Sequence, residues 1–203
     1  MRKAILLAAM AMVILGLSSV TSAQLTDVYW VNYFSNRYSP TPALLAVNIY
    51  DQTVRVINPG EQGTPLSAKH GTVCADLYVF DSNQEMSECC SCPITANGLL
   101  ILSINHDLNG NPLTGFPAPK EGVIKLVSDN QANCDPTSPV PTPDLRAFAT
   151  HLQAPGGPNL VTTESEFEPA TLQQDELSFL GTACSFVLFL GSGKGSCSCG
   201  NID

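Results

Sequence analysis

The residues best equipped for chemistry in this chain are its eight cysteines: Cys74, Cys89, Cys90, Cys92, Cys134, Cys184, Cys197 and Cys199. Two groups are dense, Cys89-Cys90-Ser91-Cys92-Pro93 and Cys197-Ser198-Cys199. Sulfur at this spacing has three chemistries open to it. Oxidised, it forms bridges. As thiolate it holds zinc or copper(I), with His70, His106 or His151 as candidate co-ligands. As a Cys-x-x-Cys pair, formally Cys89 to Cys92, it exchanges disulfides. An even count in an exported chain reads as a disulfide framework, and roughly a hundred pairings remain open. Cys-x-Cys lacks the gap of zinc-binding pairs, and exchange motifs open a helix inside a βαβ unit, which this sequence does not show. In extended chain Cys90 and Cys92 point to one face and Cys89 to the other. Neighbouring cysteines bond each other poorly, so both clusters are expected to reach distant partners, the terminal pair stapling the tail beneath a helix.

Oxygen donors offer two further sites. Asn105, Asp107 and Asn109 alternate and Gly110 follows, as in the first half of a calcium loop, where alternation aims side chains inward. The second half departs, because Phe116 stands where a bidentate acid is needed. No cofactor is expected beyond the thiolate-metal alternative and calcium at Asn105, Asp107 and Asn109, where a polar hairpin turn competes for the same residues. Glu164, Glu166 and Glu168 alternate with Thr163, Ser165 and Phe167, which places three carboxylates on one face of an extended segment. Glu164 and Glu166, spaced about 6–7 Å, would suit a glycosidase acid and base. A row of like charges equally protects a sheet edge from aggregation. Gly191-Ser192-Gly193-Lys194-Gly195-Ser196 fails as a phosphate loop, since Gly195 follows the lysine and the loop follows a helix. No Gly-x-Ser-x-Gly elbow stands in residues 24–203, and no His-Glu-x-x-His occurs in the chain, so catalytic residues stay unassigned.

The elements that must position these groups are short and β-rich. Strands are expected over 27–34, 44–50, 53–57, 72–80, 99–105, 122–128, 145–152 and 160–167, rich in aromatic and β-branched residues and punctuated by Gly, Pro, Asn or Asp. In 72–80 both faces are apolar, which suits a central strand covered on each side. Asn58-Pro59-Gly60 and Asn109-Gly110-Asn111-Pro112 are turns, and the four prolines of 136–143 make a stiff loop. From Thr171 the pattern becomes helical: a Thr171/Gln174 capping box, Asp175 and Glu176 at the positive end, then Leu177, Leu180, Cys184 and Val187. One helix over 172–190 is expected to dock on the sheet, with Phe179, Phe186, Phe189 and Leu190 widening its apolar side. The expected fold is mainly β, an immunoglobulin-like β-sandwich with one C-terminal α-helix and disulfide-stapled loops, with a barrel as the alternative.

Arg2 and Lys3, the apolar run from Ala4 to Leu17, and small residues up to Ala23 make a secretory signal over 1–23. Residues 24–203 then form a single domain, and no later segment is apolar and long enough for membrane insertion. Losing Arg2 and Lys3 takes the formal charge from −9 to −11. That excludes nucleic acid as a natural partner and leaves an extracellular protein or glycan. No Asn-x-Ser/Thr sequon occurs, in keeping with a bacterial source.

Asn58-Pro59-Gly60, Cys74-Ala75-Asp76-Leu77-Tyr78-Val79-Phe80-Asp81, Glu88-Cys89-Cys90-Ser91-Cys92-Pro93 and Leu190-Gly191-Ser192-Gly193 with the terminal Cys-x-Cys together resemble uncharacterised cysteine-rich bacterial secreted proteins. The resemblance implies export and disulfides and supplies no catalytic or binding residues. The functional expectation is a secreted or cell-envelope structural or binding module without catalytic activity, in the periplasm, at the cell surface or outside the cell. A metal-binding protein and an extracellular hydrolase are the alternatives.

Overall fold

The structure, a computed structural model, describes residues 27–35, 51–67, 70–108, 120–130, 133–153 and 161–190, with Cys197 and Cys199. The leader, the strand expected over 44–50, the turn at Asn109 to Pro112 and the loop at Gly191 to Ser196 lie outside the described residues. Within them run β1 (Tyr29–Ser35), β2 (Thr53–Ile57), β3 (Val73–Asp81), β4 (Met86–Ile94), β5 (Leu99–Ser103), β6 (Glu121–Asp129), β7 (Arg146–Gln153), β8 (Val161–Glu166), β9 (Glu168–Pro169) and the helix α1 (Gln174–Leu190).

These strands form two antiparallel sheets, ordered β4-β3-β6-β1-β9 and β5-β2-β7-β8. Only β3–β4 and β7–β8 join strands consecutive in sequence, so the chain passes repeatedly between the layers. The expected mainly β sandwich with a C-terminal helix is the fold. Its core follows the period-two rule. Trp30 and Phe34, Val54 and Val56, Ala75, Leu77 and Val79, Leu100 and Leu102, Ile124 and Leu126, and Ala147 and Ala149 all point between the sheets. Each large side chain so buried contributes about 1.5–3 kcal/mol.

The strand β3 is buried from Val73 to Phe80 because β4 and β6 flank it and both of its faces are covered. Its outward residues Tyr78 and Phe80 join Tyr29, Cys89 and Val127 in a second apolar cluster, closed by Leu180, Cys184 and Val187 of α1. The helix therefore docks by the stripe its spacing announces. Two details differ from expectation. Leu177 N–H bonds the Gln173 carbonyl at 3.0 Å, so the cap is Gln173, and Thr171 lies outside the first turn. Phe179, Phe186 and Phe189 remain 50, 63 and 84% exposed, because the stripe one turn away already faces the sheet.

The sequence reading also missed β4. Its Ser, Glu, Cys and Pro residues carry no β signal, yet they pair with β3 from Met86 to Ile94. Pro93 is tolerated because β4 is an edge strand. The Asn58-Pro59-Gly60 turn forms as expected: Gly60 adopts φ 86°, and its N–H bonds Asn58 Oδ1 at 2.8 Å. The Asn58 Nδ2 group donates to the carbonyls of Gly71 and Ile94, each at 2.8 Å, which ties the turn to β4.

Candidate functional site

All eight cysteines are joined, as Cys74–Cys134, Cys89–Cys184, Cys90–Cys197 and Cys92–Cys199, with Cα separations of 5.3–5.7 Å. The alternation of β4 decides the pairing. Cys89 points outward and holds α1, whereas Cys90 and Cys92 point inward and hold the tail residues Cys197 and Cys199. Among the described residues, Cys90, Cys92 and Cys199 form a group whose potential metal-donor atoms lie within 4.8 Å of one another, and no histidine joins it. Bridged sulfurs offer no thiolate, so metal there requires prior reduction.

The expected calcium loop is described as far as Leu108. Asp107 Oδ2 accepts the Ser103 N–H at 2.7 Å, and Leu108 is buried. The Asp51 carboxylate accepts the Asn105 N–H at 3.0 Å and the Ser103 hydroxyl. Asp107 thus closes the turn after β5, and Asn109 lies outside the described residues.

The three glutamates do not share one strand. Phe167 turns into the core between β8 and β9, so Glu164 and Glu166 belong to the four-stranded sheet and Glu168 to the five-stranded one. Glu164 pairs with Arg55 at 2.6 Å. Glu166 and Glu168 instead line a cleft of about 250 Å³ with Asp27, Trp30, Arg146, Phe167 and Pro169. Three carboxylates and one guanidinium, over the largely buried Trp30, suit a cationic or polyhydroxylated ligand. Sequence reasoning did not single out this cleft, because Trp30 and Arg146 come from strands distant in the chain.

A serine–histidine contact also assembles in space. His151 Nε2 lies 2.8 Å from Ser165 Oγ, Asn32 Nδ2 donates to the same hydroxyl at 3.2 Å, and Tyr33 stacks on the imidazole at 4.3 Å. A catalytic triad needs an acceptor on Nδ1 to orient the base. Here Nδ1 is buried with no hydrogen-bond partner among the described residues. Burial also lowers the imidazole pKa, so the ring is neutral at physiological pH. Asn32, His151 and Ser165, with Tyr33 stacked on the ring, work as a clasp between β1, β7 and β8.

The most unusual electrostatics sit on the outer face of β3. Asp76 and Asp129 are both fully buried. Burial, reinforced by the charges of Asp129 and Asp135, pushes the Asp76 carboxyl up to about 8 against the opposing Ser91 hydrogen bond. A carboxylate inside the apolar run Val73 to Phe80 was the available signal for this pair, since lone acids in such strands are rarely buried without a partner. Residues 133–143 cover it, held by Cys74–Cys134 and by the Tyr78 hydroxyl, which donates to the Pro136 carbonyl at 2.8 Å. Between this segment and α1 runs a groove of about 340 Å³ lined by Thr137, Ser138, Thr182 and Ser185 among others. A side chain at Gly181 would collide with the Thr137 carbonyl, so glycine sets how closely the helix approaches.

These features define a class: an antiparallel β-sandwich carrying one docked helix and four disulfides. No family model matches the chain, and no curated protein matches it. Among solved structures it is similar to the Anabaena sensory rhodopsin transducer, at a TM-score of 0.35 and 14% identity, over 71% of this chain and all of that one. Similarity at that level carries no functional argument. Among the described residues, no helix is long and apolar enough to cross a membrane.

Proposed function

We propose that this chain is an exported structural or binding module without catalytic activity, working in the periplasm, at the cell surface or outside the cell. The observation that carries the reading is the use of one strand as a sulfur anchor. Three bridges radiate from β4, and with Cys74–Cys134 they close loops of 60 to 107 residues. Closed alone, a loop of that length is worth roughly 4–5 kcal/mol, the nested bridges from β4 add less once the first is in place, and such bonds persist in oxidising compartments. The resemblance to cysteine-rich bacterial secreted proteins supports the same reading. The cleft at Trp30, Arg146, Glu166 and Glu168 is the surface best suited to an extracellular protein or glycan.

Protein recovered from outside the cytoplasm should begin at Gln24, carry eight oxidised cysteines and hold no stoichiometric metal. Several free thiols together with bound zinc would favour the alternative, a reduced site built on Cys90, Cys92 and Cys199. Activity on a glycan panel that disappears in the Glu164→Gln, Glu166→Gln double variant would replace the module with a hydrolase. Retention on one glycan or envelope fraction, weakened at least fivefold by Arg146→Ala, is the expected positive result for the cleft.

A further inference from the structure

We propose that Asp76 and Asp129 form an alkaline latch: one shared proton holds residues 133–143 on the five-stranded sheet, and its loss frees that segment while Cys74–Cys134 keeps it tethered. The geometry begins with Asp76, on the outward face of β3 and fully buried. Its Oδ1 takes the Ser91 hydroxyl, while Oδ2 receives no N–H or O–H from a described residue. Asp129, on the adjacent strand β6, stands on the same face as Asp76, and its charge adds to the rise. Two ionised carboxylates side by side in a dry site repel strongly, so the pair retains a proton between them.

The latch reaches the segment through Asp129. Its Oδ1 accepts the Val140 N–H at 2.8 Å. Beside that bond, Asn130 N–H meets the Val140 carbonyl at 3.0 Å and Thr142 N–H meets the Ser128 carbonyl at 2.8 Å. Charging the pair places two negative groups beneath this ladder and favours water entry over burial. The charged groups that act on Asp76 are themselves acids, Asp129 and Asp135. On β3 stands Tyr78, whose phenol burial pushes upward. On β4 stands the neutral Ser91, and on the segment itself Asp135, kept ionised by Thr137 and Ser138. The helix presents Gly181, Thr182 and Ser185 to the segment. Its acids Asp175 and Glu176 lie in the first turn, where Glu176 holds Lys125 at 2.6 Å. On β6 the cation Lys125 is therefore occupied elsewhere.

The sign follows from the raised carboxyl. A folded pKa of about 8 against an ordinary 3.8 means that the closed form binds the extra proton. Its stabilisation is complete below pH ~4, erodes as pH rises, and is exhausted once pH passes about 8. The segment opens on the alkaline side.

The test uses the whole, disulfide-intact protein. Carboxyl carbon NMR should place the Asp76 titration near pH 8. Exchange protection at the Val140 and Thr142 amides, corrected for intrinsic rate, should fall by up to about tenfold per pH unit between 5 and 8, while β2 amides change less. Asp76→Asn, which keeps a neutral polar group, should flatten that profile. A titration below about pH 5, or segment amides that track β2 throughout, overturns the latch. Should the variant fail to fold, the carboxyl titration and the amide comparison on the native protein still decide it.

Discussion

The two sheets share one core and differ in what covers their outer faces. The five-stranded sheet is roofed by α1 and residues 133–143, and the roof is stapled at Cys74–Cys134 and Cys89–Cys184. The four-stranded sheet turns Ile57, Leu99 and Ile101 outward, at 37, 56 and 50% exposure, beside the Arg55–Glu164 pair. The roofed face buries two carboxyls; the open face carries solvated charge. On the roofed face a covalently tied cover keeps two acids dry, whereas the Arg55 and Glu164 charges of the open face stay in water.

The sharpest way to break the comparison is to cut the roof. Cys89→Ser with Cys184→Ser removes the bridge between β4 and α1, which closes a 95-residue separation. Cys90–Cys197 still ties the chain beside Cys89, so the bridge closes only the short stretch from Cys184 to Cys197, and loop-closure entropy puts the loss at about 3 kcal/mol. Denaturant unfolding should register it, with increased protease cutting within α1. Unchanged stability would mean that the apolar stripe of the helix holds the roof unaided.

How much of this was legible depends on period and on partners. The alternation in β2, β3 and β6 was readable because apolar residues recur at the inward positions and each strand packs on one core. The helix was readable from Leu177, Leu180, Cys184 and Val187. The strand β4 was not, because its burial rests on sulfur bonds to residues about a hundred positions away, which local propensity does not encode. The acids Glu164, Glu166 and Glu168 looked like one row, yet a single inward Phe167 divides them between sheets. The Trp30 cleft and the Asp76–Asp129 pair needed register information across β1, β3, β6 and β7 that no local window holds.

A comparable effect sharpens the contrast between inner and outer faces within one strand. Leu102 is fully buried and Ile101, its neighbour on β5, is half exposed. Leu102→Ala should cost about 2–5 kcal/mol through lost burial and a cavity. Ile101→Ala should move stability by about 0.5 kcal/mol or less. Equal costs would mean that the outer face of this sheet is covered in solution, for instance by a second copy, and sedimentation would then report the oligomer.

The smallest expected effect belongs to the open face itself. Arg55 and Glu164 approach to 2.6 Å, but their side chains are 37 and 48% exposed. Water screens such a pair, and holding two long side chains together costs entropy, so its net worth is about 0–1 kcal/mol. Arg55→Ala and Glu164→Ala, alone and combined, should give a coupling inside that range in a double-mutant cycle, shrinking further in high salt. A coupling well above it would show that this face excludes water as the roofed face does, and the distinction between the two sheets would have to be redrawn around a bound partner.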